Sequence, residues 1–300
     1  MFGGNNSSYK IKIAAFLVSI CMIIMACNHT SSTEKTWVAI KPSKATHSPV
    51  NGISMYYEIY GEGSPLVLIH GGGSTIQTTF GRVIPEFAKN HQVIAVELQA
   101  HGRTSDRNAD LSFEQDADDV AALLHSIGIE KADFFGFSNG GTTTLQIAIR
   151  HPKIVNRMIL GSALAKRDGV SAGFWDFMNH TRIEQMPEQL KIAYRKVASD
   201  TNGLQVMHDR DVKRMVYFKD IPDSLIKAIQ SPALIMIGDK DVILPEHAIQ
   251  LSRLIPKARL AIIPGGHGEY IGEITTLKPT GKKEYPGVKV IEEFLSDDDQ

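Results

Sequence analysis

Lys131-Ala132-Asp133-Phe134-Phe135-Gly136-Phe137-Ser138-Asn139-Gly140 is the stretch whose reading decides the fold. Residues 131–137 are predominantly apolar and read as a buried strand. Residues 140–150 read as a helix that stops ahead of His151-Pro152. Ser138 therefore falls on the junction. Gly136 and Gly140 flank it at two residues on either side, which permits a sharp strand-to-helix turn. Such a turn strains the serine backbone and exposes its hydroxyl. Outside a strand–helix junction the same five residues would be a Gly/Ser loop without chemistry.

Outward from this junction, strand and helix patterns alternate. Residues 53–60 have strand composition, 65–69 form a short apolar run and 92–98 another. Val120, Leu123, Leu124 and Ile127 recur at helical spacing over 114–127, ahead of Gly128 as C-cap. Residues 155–160 return to strand. The alternation resumes with strands at 232–237 and 259–263 and helices at 245–254 and 288–295. This order predicts an α/β architecture, a mostly parallel, doubly wound sheet covered on both faces. Between 165 and 229 no buried strand is evident, and the stretch reads as an inserted cap of short helices. Core segments 49–164 and 230–300 then bracket it. Among the cap aromatics and methionines, Trp175, Phe177 and Met178 are candidate substrate-binding residues. The competing reading for each is packing between short helices.

Two further segments carry chemistry. His70-Gly71-Gly72-Gly73 follows the 65–69 strand. Acyl transfer places negative charge on the substrate oxygen, and backbone N–H groups can meet it. Gly72 and Asn139 are the candidate oxyanion donors, with His70 structural. Gly238-Asp239-Lys240-Asp241 and Pro264-Gly265-Gly266-His267 follow the last two predicted strands. A serine becomes a useful nucleophile when a histidine takes its proton and an acid orients that histidine.

These segments together resemble the α/β-hydrolase superfamily, especially its small esterases, cofactor-free haloperoxidase-like enzymes and related capped hydrolases. The resemblance spans about residues 53 to 295. It implies Ser138, Asp241 and His267 as catalytic residues, in the family's chain order. Family turns of the form Gly-Asp-x-Asp with a proline shortly after place the acid at the second Asp. Pro245 fits that register, leaving Asp239 as a turn residue. It implies no cofactor. The family usually has Asp, then Arg-Gly before His-Gly, after the strand corresponding to 92–98. Here those positions are Glu97, Gln99 and Ala100, a departure at the floor of the site. The implied function is hydrolysis of a carboxylic ester or related acyl bond through an acyl-serine. The same triad could serve a perhydrolase or haloperoxidase-like enzyme, a thioesterase, an aminopeptidase or a carbon–carbon bond hydrolase. A non-enzymatic surface binding protein on this fold is the alternative outside enzymes.

Composition narrows the rest. The chain has 300 residues, 43% hydrophobic and 22% charged, with a formal net charge of −1. That balance gives nucleic acid no electrostatic footprint. The two cysteines, Cys21 and Cys27, precede the globular part, so neither a disulfide framework nor a cysteine zinc site is expected there. No His/Asp/Glu cluster has metal-ligand spacing. Lys10 and Lys12 precede an uncharged run over 13–26, too short for the roughly 20 residues of a spanning helix. Its end, Ile24-Met25-Ala26-Cys27, resembles a bacterial lipobox. The expectation is a signal peptide at 1–26, lipidation at Cys27, a tether over 27–48 and export to a membrane surface facing the periplasm or cell exterior. A plain cleaved signal or an anchor helix are the alternatives.

Overall fold

The computed structural model describes residues 40–200, 202–277 and 284–297. The segment expected to be a signal peptide, 1–26, and the expected lipidation site, Cys27, lie outside the described residues. Among the described residues, no helix is long and apolar enough to cross a membrane.

Eight strands form one sheet: β1 Lys44–Val50, β2 Ile53–Tyr60, β3 Ser64–Ile69, β4 His91–Val96, β5 Ala132–Phe137, β6 Val155–Gly161, β7 Ala233–Gly238 and β8 Ala258–Ile263. Their spatial order is β1-β2-β4-β3-β5-β6-β7-β8. The β1–β2 and β2–β4 pairs are antiparallel, and every pair from β4 to β8 is parallel. The central strands are apolar on both faces because both faces are covered. Val67, Ile69 and Phe134 point into one apolar layer with Val120, Leu123 and Leu124 of α3 (Phe113–Ser126) and Leu145 and Ile147 of α4 (Asn139–Arg150). Leu66, Leu68, Phe135 and Phe137 point into the other. There they meet Ile76 and Phe80 of α1 (Ile76–Phe80), Phe87 of α2 (Ile84–Phe87) and Ile291 and Phe294 of α10 (Pro286–Leu295). Each such side chain, fully buried, contributes on the order of 1.5–3 kcal/mol.

The folded part starts earlier than the sequence pattern indicates, since β1 begins inside the expected tether of 27–48. Its sequence, Lys-Ala-Thr-His-Ser-Pro-Val, is largely polar and mostly exposed. It is the edge strand, where polar side chains and a proline are tolerated and leave no periodic apolar signal.

The insertion between β6 and β7 is helical: α5 Phe174–His180, α6 Glu188–Val197, α7 Gly203–Val216 and α8 Asp223–Lys227. Met186, Leu190, Tyr194, Leu204 and Met207 form a small apolar cluster of their own, closed from below by Ala100. α9, Pro245–Leu254, lies between β7 and β8 in the chain.

The chain steps from β3 out to β4, then returns past β3 to β5. Ligands in such sheets bind beyond the strand C-termini where the direction reverses. Ile69 at the end of β3 stands beside Gly136 of β5, so the 70–73 loop and Ser138 emerge as neighbours.

The turn at Ser138 leaves no room at its flanking glycines. A methyl group at 140 would overlap the Ile69 carbonyl, and one at 136 would overlap the Gly140 carbonyl and Thr144 Oγ1. At Gly128, by contrast, φ is +78° but the space is open. Gly136→Ala or Gly140→Ala should therefore cost at least ~3 kcal/mol through backbone displacement, against ~1 kcal/mol for Gly128→Ala. Equal denaturation midpoints for the three variants would refute this reading.

Candidate active site

Ser138 has φ 54° and ψ −119°, a conformation rare for a residue with a side chain. Its N–H donates to Gly161 O at 2.8 Å, tying the turn to β6. The Ser138 Oγ lies 3.1 Å from His267 Nε2. His267 Nδ1 lies 2.7 Å from Asp241 Oδ1. The three residues come from the C-terminal ends of β5, β8 and β7, so strand register brings them together across 129 residues of chain. Asp239, the other acid of its turn, accepts a bond from Gly265 N at 2.7 Å and holds the two loops together.

Asp241 is further fixed on its far side. Its Oδ2 accepts from Ser162 Oγ at 2.7 Å, and its Oδ1 accepts from Ile243 N at 3.0 Å. Ser162 also meets Tyr270 OH at 2.9 Å and has φ 49°. Sequence reasoning passed over Ser162 and Tyr270. A lone serine after a strand gives no signal, and both act through a contact made only in three dimensions.

Burial alone would raise the Asp241 carboxyl. The charge of His267 and the bonds from His267, Ser162 and Ile243 outweigh it and hold the group below its ordinary value. For His267, burial opposes the charged form, but the Asp241 carboxylate beside it wins and raises the imidazole above 6.5.

The 70–73 loop has a defined orientation. Gly71 O faces His70 Nδ1 at 2.7 Å and Ser74 N at 3.3 Å. In a trans peptide the Gly72 N–H points away from the Gly71 carbonyl, and Gly72 lines the pocket with Ser138, Asn139 and His267. His70 accepts from Leu98 N at Nε2, at 3.1 Å, and burial depresses it to about 3, so it stays neutral. At the floor, Glu97 is paired with Arg103 at 2.8 Å. Ala100, where the family has glycine, takes φ 64°. The amide of Gln99 is held by Asp106 and Arg107.

The pocket above Ser138 is a cavity of about 250 Å³ under the cap. Phe177 and Met178 line it, as do Phe174, Met186, Met207 and Met215. Trp175 does not, which corrects its candidacy. Its indole Nε1 donates to Arg167 O at 2.7 Å, Arg167 lies 3.8 Å over the ring and Phe218 stacks on it. The amphipathic indole serves the cap–core junction instead.

One unforeseen charged group enters this pocket. Asp211 of α7 accepts from Gly73 N at 2.7 Å and from Asn139 Nδ2 at 3.3 Å. Arg214, whose side chain is 2% exposed, pairs with Asp211 and, at 2.5 Å, with Asp116 of α3. Burial would raise the Asp211 carboxyl, but Arg214, His101 and the Gly73 N–H hold it well below the ordinary range. No group of His, Cys, Asp and Glu among the described residues could hold a metal.

This sheet, elbow and inserted cap are those of an α/β-hydrolase. A family model described as alpha/beta hydrolase fold matches residues 64–209, through the elbow and into the cap. The human serine hydrolase BPHL is 28% identical over 233 residues, covering 72% of this chain and 77% of its own. A 2-hydroxymuconate semialdehyde hydrolase from a Pseudomonas species is 42% identical over 108 residues, covering 34% of this chain and 38% of its own. Among solved structures, a meta-cleavage product hydrolase from Pseudomonas fluorescens aligns with a TM-score of 0.65 at 23% identity, over 85% of this chain and 97% of that one. An enol-lactonase from Burkholderia xenovorans aligns with a TM-score of 0.66 at 20% identity, over 84% and 100%. The chain has the α/β-hydrolase fold, and its similarity to these proteins supports a hydrolase activity.

The electrostatics of His267 can be read directly. An NMR titration of its ring protons should give a midpoint above 6.5, because the raised pKa keeps the imidazolium to higher pH. In Asp241→Asn the midpoint should fall, since the largest influence opposing burial is lost and only Glu273 still favours the charged form. An unchanged midpoint in that variant would show that Asp241 does not set it.

Proposed function

We propose that the protein hydrolyses a carboxylic ester, or a related acyl bond, of an uncharged and largely apolar acyl substrate through an acyl-Ser138 intermediate. The observation that carries this is the Asp241–His267–Ser138 hydrogen-bonded chain at the foot of an apolar pocket. His267 Nε2 takes the Ser138 proton as Oγ attacks the carbonyl carbon. The carbonyl oxygen becomes an oxyanion, and the Gly72 and Asn139 N–H groups are the donors available to it. His267 then protonates the leaving alcohol. A water molecule, deprotonated by the same nitrogen, releases the acid and frees Ser138.

A second reading, carbon–carbon bond hydrolysis, draws on the relatives. One is a 2-hydroxy-6-oxo-2,4-heptadienoate hydrolase, 27% identical over 70% of this chain. That compound, by its name, carries a carboxylate. Among the described residues, no Lys or Arg lines the pocket here, and its one carboxylate side chain is Asp211. An anionic substrate would lose its hydration without gaining a Lys or Arg partner, the cap's other polar side chains there being neutral Thr181 and Gln185 and the imidazole of His208. An uncharged acyl group carries no such penalty. Phe174, Phe177 and four methionines favour apolar groups and adapt to their shape. A cavity of about 250 Å³ lies below the usual range for drug-sized ligands and suits a small acyl chain.

Two assays test this. Ser138→Ala should lower kcat on a short aryl ester by about 10⁶-fold while leaving the unfolding midpoint within the range of other surface changes. Residual wild-type turnover in that variant would sink the mechanism. Side by side, kcat/KM should favour short aryl esters over a 6-oxo-dienoate by at least ~100-fold, the effect of an unpaired buried charge. The reverse preference would install the carbon–carbon reading.

A further inference from the structure

The residue placed to govern the oxyanion site belongs to the cap, not to the core. Asp211 touches both segments that carry the donors. Its Oδ2 accepts the Gly73 N–H at 2.7 Å, a bond shared with His101 Nε2 at 3.2 Å. Its Oδ1 meets Asn139 Nδ2 at 3.3 Å. The Gly72–Gly73 peptide plane is thereby held at both ends, since Gly72 O accepts from Ser74 Oγ at 3.3 Å. Fixing this plane and the Gly71–Gly72 plane beside it sets the direction of the Gly72 N–H. A side chain at Gly72 would displace Asp211 and Asn139. A methyl group at 72 would come within 2.6 Å of Asp211 Oδ2 and 2.5 Å of Asn139 Nδ2.

A carboxylate this near a developing oxyanion would oppose it by simple repulsion. Arg214 answers that charge from the other side, and Asp116 of the core holds Arg214 in place. The carboxylate's lone pairs are thus committed to donors, and it acts as a fixed acceptor.

We propose that Asp211 is a positioning residue for the acyl-transfer reaction: through Gly73 and Asn139 it sets the Gly72 and Asn139 N–H groups for the oxyanion, so that the cap completes the catalytic geometry of the core. The inference rests on the acyl-serine reading. A misplaced donor weakens binding of the tetrahedral state more than binding of the substrate.

The test separates those two states. An aryl trifluoromethyl ketone adds Ser138 Oγ to its carbonyl carbon. The Ser proton passes to His267 Nε2 and the ketone oxygen becomes an oxyanion, mimicking the tetrahedral state. In Asp211→Asn its Ki should rise about 10- to 100-fold and kcat on a short aryl ester should fall by a similar factor, with KM changed less than about threefold. Ser74→Ala, which frees the other end of the same peptide plane and touches no charge, should move Ki and kcat in the same direction by less. It serves alone if Asp211→Asn does not fold. Unchanged Ki and kcat, a KM that rises in step with Ki, or a kcat that increases would each overturn the inference. Wild-type protein inert to both ketone and ester would instead overturn the acyl-serine reading beneath it.

Discussion

The structure depends on one strained residue. Ser138, at φ 54° and ψ −119°, turns the chain from the end of β5 into α4 without a loop between them. This conformation persists only because its surroundings over-determine it. Gly136 and Gly140 allow the backbone of β3, the turn and α4 to pack without intervening side chains. The Ser138 N–H is anchored on β6. A looser turn would withdraw the hydroxyl from His267, and the apolar strands on either side would lose their contact with α4. Reactive geometry and core packing are here one constraint.

Around that point the parallel strands act as a jig. Adjacent C-terminal ends deliver His267, Asp241, Ser162, Ser138 and the Gly72 loop to one place, although they are far apart in the chain. The acid side of the relay is buried and multiply bonded, whereas the His267 side chain keeps a third of its surface. A buried acid with fixed partners keeps its charge, and a partly exposed imidazole can exchange its proton. The two environments push the groups in opposite directions, Asp241 down and His267 up.

Much of this was legible in the residues. The strands β3, β5 and β7 are nearly uninterrupted apolar runs, because both faces of the sheet are covered there. The elbow, the glycine loop and the Asp241 turn each follow such a run, and the His267 turn follows the apolar end of edge strand β8. Other parts carry no such mark. β1 is polar because it lies at the edge. Trp175, Phe177 and Met178 are equivalent in sequence, and only packing against Arg167 and Phe218 draws Trp175 out of the pocket. Asp211 and Arg214 sit in Asp209-Arg210-Asp211-Val212-Lys213-Arg214, which looks like a solvated helix face. Their partners Gly73 and Asp116 lie 138 and 98 residues away, and no local pattern encodes a pairing at that distance. Ala100 in place of the family's glycine reads as a conservative change, yet it holds a left-handed backbone and packs its methyl under the cap.

The triad of Asp116, Arg214 and Asp211 also bears on how molecules come and go. Lifting α7 off the core would part Arg214 from Asp116 and pull Asp211 from Gly73 in one movement. Each charge left behind in an apolar seam costs several kcal/mol. Helix α7 is therefore pinned to the core through this pair of contacts. Phe177 lines the pocket and is 49% exposed, so its ring swings on the pico- to nanosecond scale of surface side chains. That ring can turn without disturbing the ion pairs that join α7 to the core.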